Sequence, residues 1–185
     1  MDSAVRARHE GLEQMLPPKW RDRVKEWVAE DAPKWDVGGY VVGDAVGRAA
    51  LHAKSAGRFA GRPFADHVFE LLGCSVEWHY PEGYDITEAE ACTKLVVATV
   101  CGPVHKLLLA ERTALNILSR ASGVATAARD ASALVKARGW HGRVAGTRKT
   151  TPGFGIVEKY ALLVGDADTH RMDLSAMVML KDNHI

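Results

Sequence analysis

The spacing of apolar positions changes several times along the chain, and each change predicts an element. Between Lys19 and Ala29, Trp20, Val24, Trp27 and Val28 fall at i, i+4, i+7 and i+8, the stripe of an amphipathic helix preceded by Pro17-Pro18. Arg48 to Lys54 predicts a short strand. Gly61-Arg62-Pro63 then opens a helix with Phe64, Val68, Leu71 and Leu72 on one face, stopped by Gly73. Cys74 to Trp78 alternates as a strand does, and Pro81-Glu82-Gly83 is a turn. The β-branched run from Lys94 to Val100 is a further strand, closed by Gly102-Pro103. Strands and helices are segregated up to about residue 104, the pattern of an α+β unit.

The period then becomes helical and repeats with strands. His105 to Ser122 carries a stripe of Leu107, Ala110, Ala114, Ile117, Leu118 and Ala121, with Arg112, Asn116 and Arg120 on another face. A second, alanine-rich helix is expected from Gly123 to Arg138, with Ser122 as its N-cap and Gly139 as its stop. A strand at Arg143 to Thr147 follows. Thr151-Pro152 opens a helix with Phe154, Val157, Ala161 and Val164 buried and Gly165 at its end. Asp166 to Asp173 reads as loop, and the all-apolar Ala176 to Leu180 as a parallel strand covered on both faces. This half reads as the start of a parallel β/α array.

Asp31 to Gly47 contains Pro33, Gly38, Gly39, Gly43 and Gly47 but neither GxxxxGK[ST] nor GxGxxG. It reads as a turn-rich connection, not a phosphate cradle. A net charge of +1 from 24 basic and 23 acidic residues gives no basic excess for nucleic acid or a membrane surface, so any cationic site must be local. Met1 to Arg6 mixes charges without an apolar leader core, and Cys74, Cys92 and Cys101 show no CxxC spacing. A cytoplasmic protein with reduced thiols is expected.

Local cations are what the second half supplies. Thr147, Arg148 and Lys149 follow one expected strand and Lys181 follows the next, so in a parallel array they should share a rim. His170 and Arg171 lie in the intervening loop. Arginine can grip a carboxylate or phosphate with two donors, whereas lysine acts as a point charge. Convergent cations repel one another unless an anion relieves them. The alternative is solvated loop ends paired with Glu158, Asp166, Asp168 or Asp173. Chemistry alone points to a site for a multiply anionic small molecule.

The segments Glu111 to Asn116, Ser119 to Gly123, Gly146 to Gly153 (GTRKTTPG), Glu158-Lys159-Tyr160, Thr169 to Asp173 (THRMD) and Lys181 to His184 (KDNH) resemble quinolinate phosphoribosyltransferases. The resemblance implies an α/β protein. Residues 1–110 would form an N-terminal α+β open sandwich domain, and residues 111–185 the first part of a β/α barrel. It implies a pentosyltransferase that joins quinolinate to phosphoribosyl pyrophosphate, yielding nicotinate mononucleotide, pyrophosphate and CO2 in NAD synthesis. It further implies that Arg148, His170 and Arg171 hold the quinolinate carboxylates. Lys149 and Lys181, the expected catalytic residues, would assist with the donor, and Thr147 would line the site. Arg112 would reach a neighbouring subunit's site in a homo-oligomer, and Mg2+ would neutralise the departing pyrophosphate. The family's barrel runs past the KDNH strand, so a C-terminally truncated chain of weak activity is expected. A non-catalytic anion-binding or assembly-partner form is the alternative.

Overall fold

The computed structural model describes residues 9–184, with only the backbone of Asn183. Met1 to Arg6, read above for its lack of a leader, lies outside the described residues. After a 3-10 turn at Leu12–Met15, the elements are α1 (Trp20–Asp31), α2 (Val37–Val42), β1 (Val46–His52), β2 (Gly57–Arg58), α3 (Arg62–Leu71), β3 (Ser75–Trp78), β4 (Asp85–Ile86), α4 (Glu88–Cys92), β5 (Val96–Pro103), α5 (Val104–Ala137) and α6 (Gly155–Val164). The order is α+β first and helix-dominated α/β afterwards.

The sheet is antiparallel in the order β1-β5-β3, so the β-branched run expected to be a strand is its centre. Val97, Ala98 and Val100 are buried there because β5 has neighbours on both sides and helices over it. Phe64 on α3 is fully buried, edge-on to Trp20 of α1 and Tyr160 of α6. One apolar cluster thus runs from the sandwich into the second half.

Three expectations need correction. The two helices expected around Ser122 and Gly123 are one helix of 34 residues, about 50 Å long. Ser122 does not cap, because its hydroxyl accepts from Ala60 N at 3.0 Å, and a single glycine weakens a helix by only about 1 kcal/mol. The Asp31-to-Gly47 connection contains α2, started by Asp36, whose carboxylate accepts from Gly39 N at 2.8 Å. Thr151 does not cap α6; the helix begins at Gly155 and the Thr151 hydroxyl turns to Glu158 instead.

The fourth difference concerns the last expected strand. Residues 176–180 form no strand; Val178 is 88% exposed and Leu180 71%. An apolar sequence cannot make a parallel strand without a ladder beside it, and none lies there among the described residues. The parallel pairing forms earlier in the chain, where Ala145 bridges Asp168. A residue expected to be loop therefore takes the strand position. The small residues of α5 allow this unit to dock closely. A Cβ on Gly165 would sit 2.5 Å from both Ala125 O and Ala128 Cβ, so only glycine lets the end of α6 approach α5.

Candidate functional site

The site is built on that parallel bridge. Asp168 N donates to Val144 O at 2.8 Å, and Gly146 N donates to Asp168 O at 2.8 Å. The two segments run in the same direction with α6 crossing between them, but they are joined by a single bridge, so the strand expected at Arg143 to Thr147 is reduced to Ala145. The residues that follow each segment must leave at the same end. Thr147-Arg148-Lys149 and Thr169-His170-Arg171 are therefore neighbours at one rim, the C-terminal end where α/β folds place ligands. His170 and Arg171, expected to lead into a strand at residues 176–180 that does not form, instead follow the bridged Asp168, as Arg148 and Lys149 follow the bridged Ala145.

Two adjacent charged residues of α6 hold the two loops. Glu158 is 6% exposed and accepts from Thr151 N at 3.0 Å and Thr151 Oγ1 at 2.8 Å, fixing the exit of the first loop. Arg120 of α5 donates twice to Glu158, at 2.9 and 2.7 Å. Burial opposes ionisation of Glu158, but the bonds from Thr151 and Arg120 outweigh it and hold the carboxyl below the usual glutamate range. Lys159 is 3% exposed and donates to Thr169 O and to Arg171 O, at 3.2 Å for the latter. Burial pushes the Lys159 ammonium below the ordinary lysine range, with Asp168 opposing that shift.

The remaining expected site residues have distinct surroundings, and Lys181, expected at the same rim through a strand at residues 176–180, is tied to it by no strand among the described residues. Arg148 and Lys149 are exposed, and Thr147 Oγ1 accepts from Lys149 N at 2.9 Å. Arg171 is half-buried and donates to Met177 O at 3.1 Å, tying the loop to the following segment. Lys181 is exposed, its amide donating to His184 Nδ1 at 3.3 Å. Among the described residues no ion pair joins Arg148, Lys149, Arg171 or Lys181 to an acid. Of the acids weighed as partners, Glu158 is engaged by Arg120, Asp166 by Arg58 and Asp168 by Arg143 at 3.9 Å, while Asp173 accepts from Ser175 N and Ala176 N. Arg112 stands apart from the rim cations. It pairs with Asp31 at 3.4 Å and lines a cleft of about 680 Å³ with Trp27, Asn116, Thr151 and Phe154.

A family model for the N-terminal domain of quinolinate phosphoribosyl transferase matches residues 36–122, and one for its C-terminal domain matches residues 124–185. The chain belongs to the quinolinate phosphoribosyltransferase family. It is 50% identical over 177 residues to nicotinate-nucleotide pyrophosphorylase [carboxylating] of Rattus norvegicus, covering 95% of this chain and 58% of the rat one. It is 46% identical over 185 residues to the Dictyostelium discoideum protein of the same name, covering 94% and 62%. The solved nicotinate-nucleotide pyrophosphorylase of Francisella tularensis superposes with a TM-score of 0.79 at 28% identity, over 89% of this chain and 59% of that one. The chain thus spans about three fifths of the length of these relatives. The two family models meet inside α5, which is continuous across the junction.

Glu158 and Lys159 are the site residues that sequence reasoning missed as such. Their signal was present: two charges beside Val157 and Ala161 on a short helix cannot both reach solvent. Glu158→Ala should lower stability by about 2 kcal/mol at neutral pH, since it deletes a charged acceptor of several bonds. Its folded-state pKa is depressed, so the contribution exists above the ordinary glutamate value and is lost as pH falls through the folded value. Urea midpoints of wild type and mutant should therefore differ at pH 7 and converge in acid. A gap that persists at low pH would mean packing, not charge, is what Glu158 supplies.

Proposed function

We propose that the chain carries the dicarboxylate-binding half of a quinolinate phosphoribosyltransferase site, acting on quinolinate and phosphoribosyl pyrophosphate in NAD synthesis. One observation carries this reading: the parallel Ala145–Asp168 bridge, which brings the exits of TRK and THR to one rim. Arg148, His170 and Arg171 are the proposed carboxylate holders. A dicarboxylate presents two planar acceptors, and guanidinium forks match them at two fixed angles. Lys149 and Lys181, the proposed catalytic residues, have no ion pair with an acid among the described residues and can meet the pyrophosphoryl donor.

In this proposal the pyridine nitrogen attacks the anomeric carbon of the ribose as the bond to pyrophosphate breaks. The 2-carboxylate then leaves as CO2, and a proton takes its place on the ring. The chain's cations orient the dianion and stabilise the departing charge, so catalysis comes from positioning and preorganised charge. Among the described residues no group of three or more His, Cys, Asp and Glu side chains could hold a metal. Magnesium therefore enters the proposal only as counter-ion to the donor's pyrophosphate, and no step is derived through it. A homo-oligomer in which Arg112 serves a neighbouring site remains part of the proposal, as does a cytoplasmic location. No helix of the described residues is long and apolar enough to cross a membrane.

The test is calorimetric titration of the purified chain with pyridine-2,3-dicarboxylate, with the monocarboxylate nicotinate as control. Selective binding of the dicarboxylate is expected. Arg171→Ala should weaken it by about 10- to 100-fold, the loss of one charge-assisted contact. Equal binding of both pyridines, or an unchanged Arg171→Ala affinity, would overturn the assignment.

A further inference from the structure

The backbone of His170 is in an unusual state. Its φ is 56°, the left-handed region, which non-glycine residues rarely adopt and which raises the local energy by about 1–2 kcal/mol. Such a conformation survives only where surrounding bonds over-determine it. Here three bonds do so. His170 N donates to Asp168 Oδ1 at 2.7 Å on one side. Lys159 Nζ donates to Thr169 O and Arg171 O, the carbonyls of the two residues that flank His170.

A buried ammonium is an expensive way to hold two neutral carbonyls. Packing alone would favour methionine or leucine at this point of α6, where Val157, Tyr160, Ala161 and Val164 are all buried. What the charge supplies is direction. It draws the carbonyls of Thr169 and Arg171 inward, so the intervening His170 turns the chain and the side chains of His170 and Arg171 are directed by backbone geometry. It also leaves a fixed positive charge directly behind the loop that the proposed function assigns to an anion.

We infer that Lys159 is a positioning residue: its ammonium holds His170 in the left-handed conformation and so sets the dicarboxylate selectivity of the THR loop. This rests on the proposed function for its ligand, but not for its conformational half. Lys159 touches no reacting atom; it acts through His170 and Arg171.

Lys159→Met, Lys159→Arg and wild type are compared by two measurements. The first is the intraresidue amide-to-Hα nuclear Overhauser effect of His170, which is strong at positive φ. The second is affinity for pyridine-2,3-dicarboxylate relative to nicotinate. In Lys159→Met the His170 signal should weaken to that of extended backbone. Dicarboxylate affinity should fall by about tenfold while nicotinate changes little, so the ratio moves. Lys159→Arg should restore much of both. A Lys159→Met protein that keeps the His170 signal or the selectivity ratio overturns the inference. Should Lys159→Met not fold, Lys159→Gln carries the test, because its shorter, uncharged side chain should shift both readouts in the direction expected for Lys159→Met; no shift overturns it. If wild type fails to bind the dicarboxylate, the functional proposal falls, and the His170 signal alone still decides the role of Lys159.

Discussion

Replacing Arg58 with methionine should lower the unfolding free energy by about 3 kcal/mol, the range for removing one partner of a buried ion pair. Arg58 has a side chain only 8% exposed. Its guanidinium grips Asp85 with two donors, Nε at 3.0 Å and a terminal nitrogen at 2.8 Å, and reaches Asp166 at 2.6 Å and Val164 O at 3.2 Å. One residue of β2 thereby joins β4 to the end of α6, at the entry to the bridged segment around Asp168. Methionine fills the volume but leaves the two carboxylates facing each other, with Arg129 still on Asp85 at 2.6 Å. Lysine should recover only part of the loss, since a point charge cannot bridge both acids. Burial opposes ionisation of Asp85, yet Arg58 and Arg129 hold its carboxyl below the usual aspartate range. The stabilisation is thus present above that range and disappears as pH falls through the folded value. Urea unfolding at pH 7 and in acid checks this. A deficit below about 1 kcal/mol at pH 7 would mean that solvent already screens the cluster.

Arg58 was invisible in the sequence for a simple reason. β2 and β4 are two residues each and carry no periodicity, and an arginine between glycine and phenylalanine reads as surface. The elements that were legible are those whose period extends over several turns or residues: α1, α3, the first half of α5, and β5. Where the expectations failed, a local rule lost to a tertiary contact. Ser122 and Gly123 look like a stop and a cap, but Ala60 claims the serine hydroxyl and α5 continues. Thr151-Pro152 looks like a helix start, but Glu158 claims the threonine.

The most instructive failure is the exchange of strand and loop in the second half. The run from Ala176 to Leu180 outranked Ala167-Asp168 because it is wholly apolar, yet it has no partner and Val178 stays exposed. The segment that does pair has a single buried apolar side chain, Ala167, and its aspartate serves the loop through His170 N. Apolarity reports burial, and only backbone pairing reports a strand. The motifs that carry the family resemblance were nonetheless readable, because under the proposed function the cations at loop exits answer to a ligand and not to the fold. The rim was thus legible as chemistry before it was legible as geometry.

Raising the pH from about 4.5 to about 7 should cost up to about 3 kcal/mol of stability through Glu82 alone. Glu82 is buried at the start of α3, accepting from Gly61 N at 2.7 Å and Arg62 N at 3.0 Å. Burial pushes its carboxyl up to about 7 from an ordinary 4.5; the bonds from Gly61, Arg62 and the Tyr160 hydroxyl oppose this only in part. For an acid whose folded-state pKa is raised, the folded protein binds the extra proton. The contribution is complete below the unfolded value and is lost as pH rises through the folded one. Arg62, Asp66, His9, Glu10 and Glu13 line the same cleft of about 300 Å³, and Arg62 is the cation that limits the shift. Glu82→Gln removes the titration while keeping one acceptor for the α3 N-terminus. Its urea midpoint should be nearly flat between pH 5 and 8, whereas wild type declines. A wild-type profile as flat as that of Glu82→Gln would mean that the two main-chain donors and Arg62 already stabilise the carboxylate enough to cancel its burial.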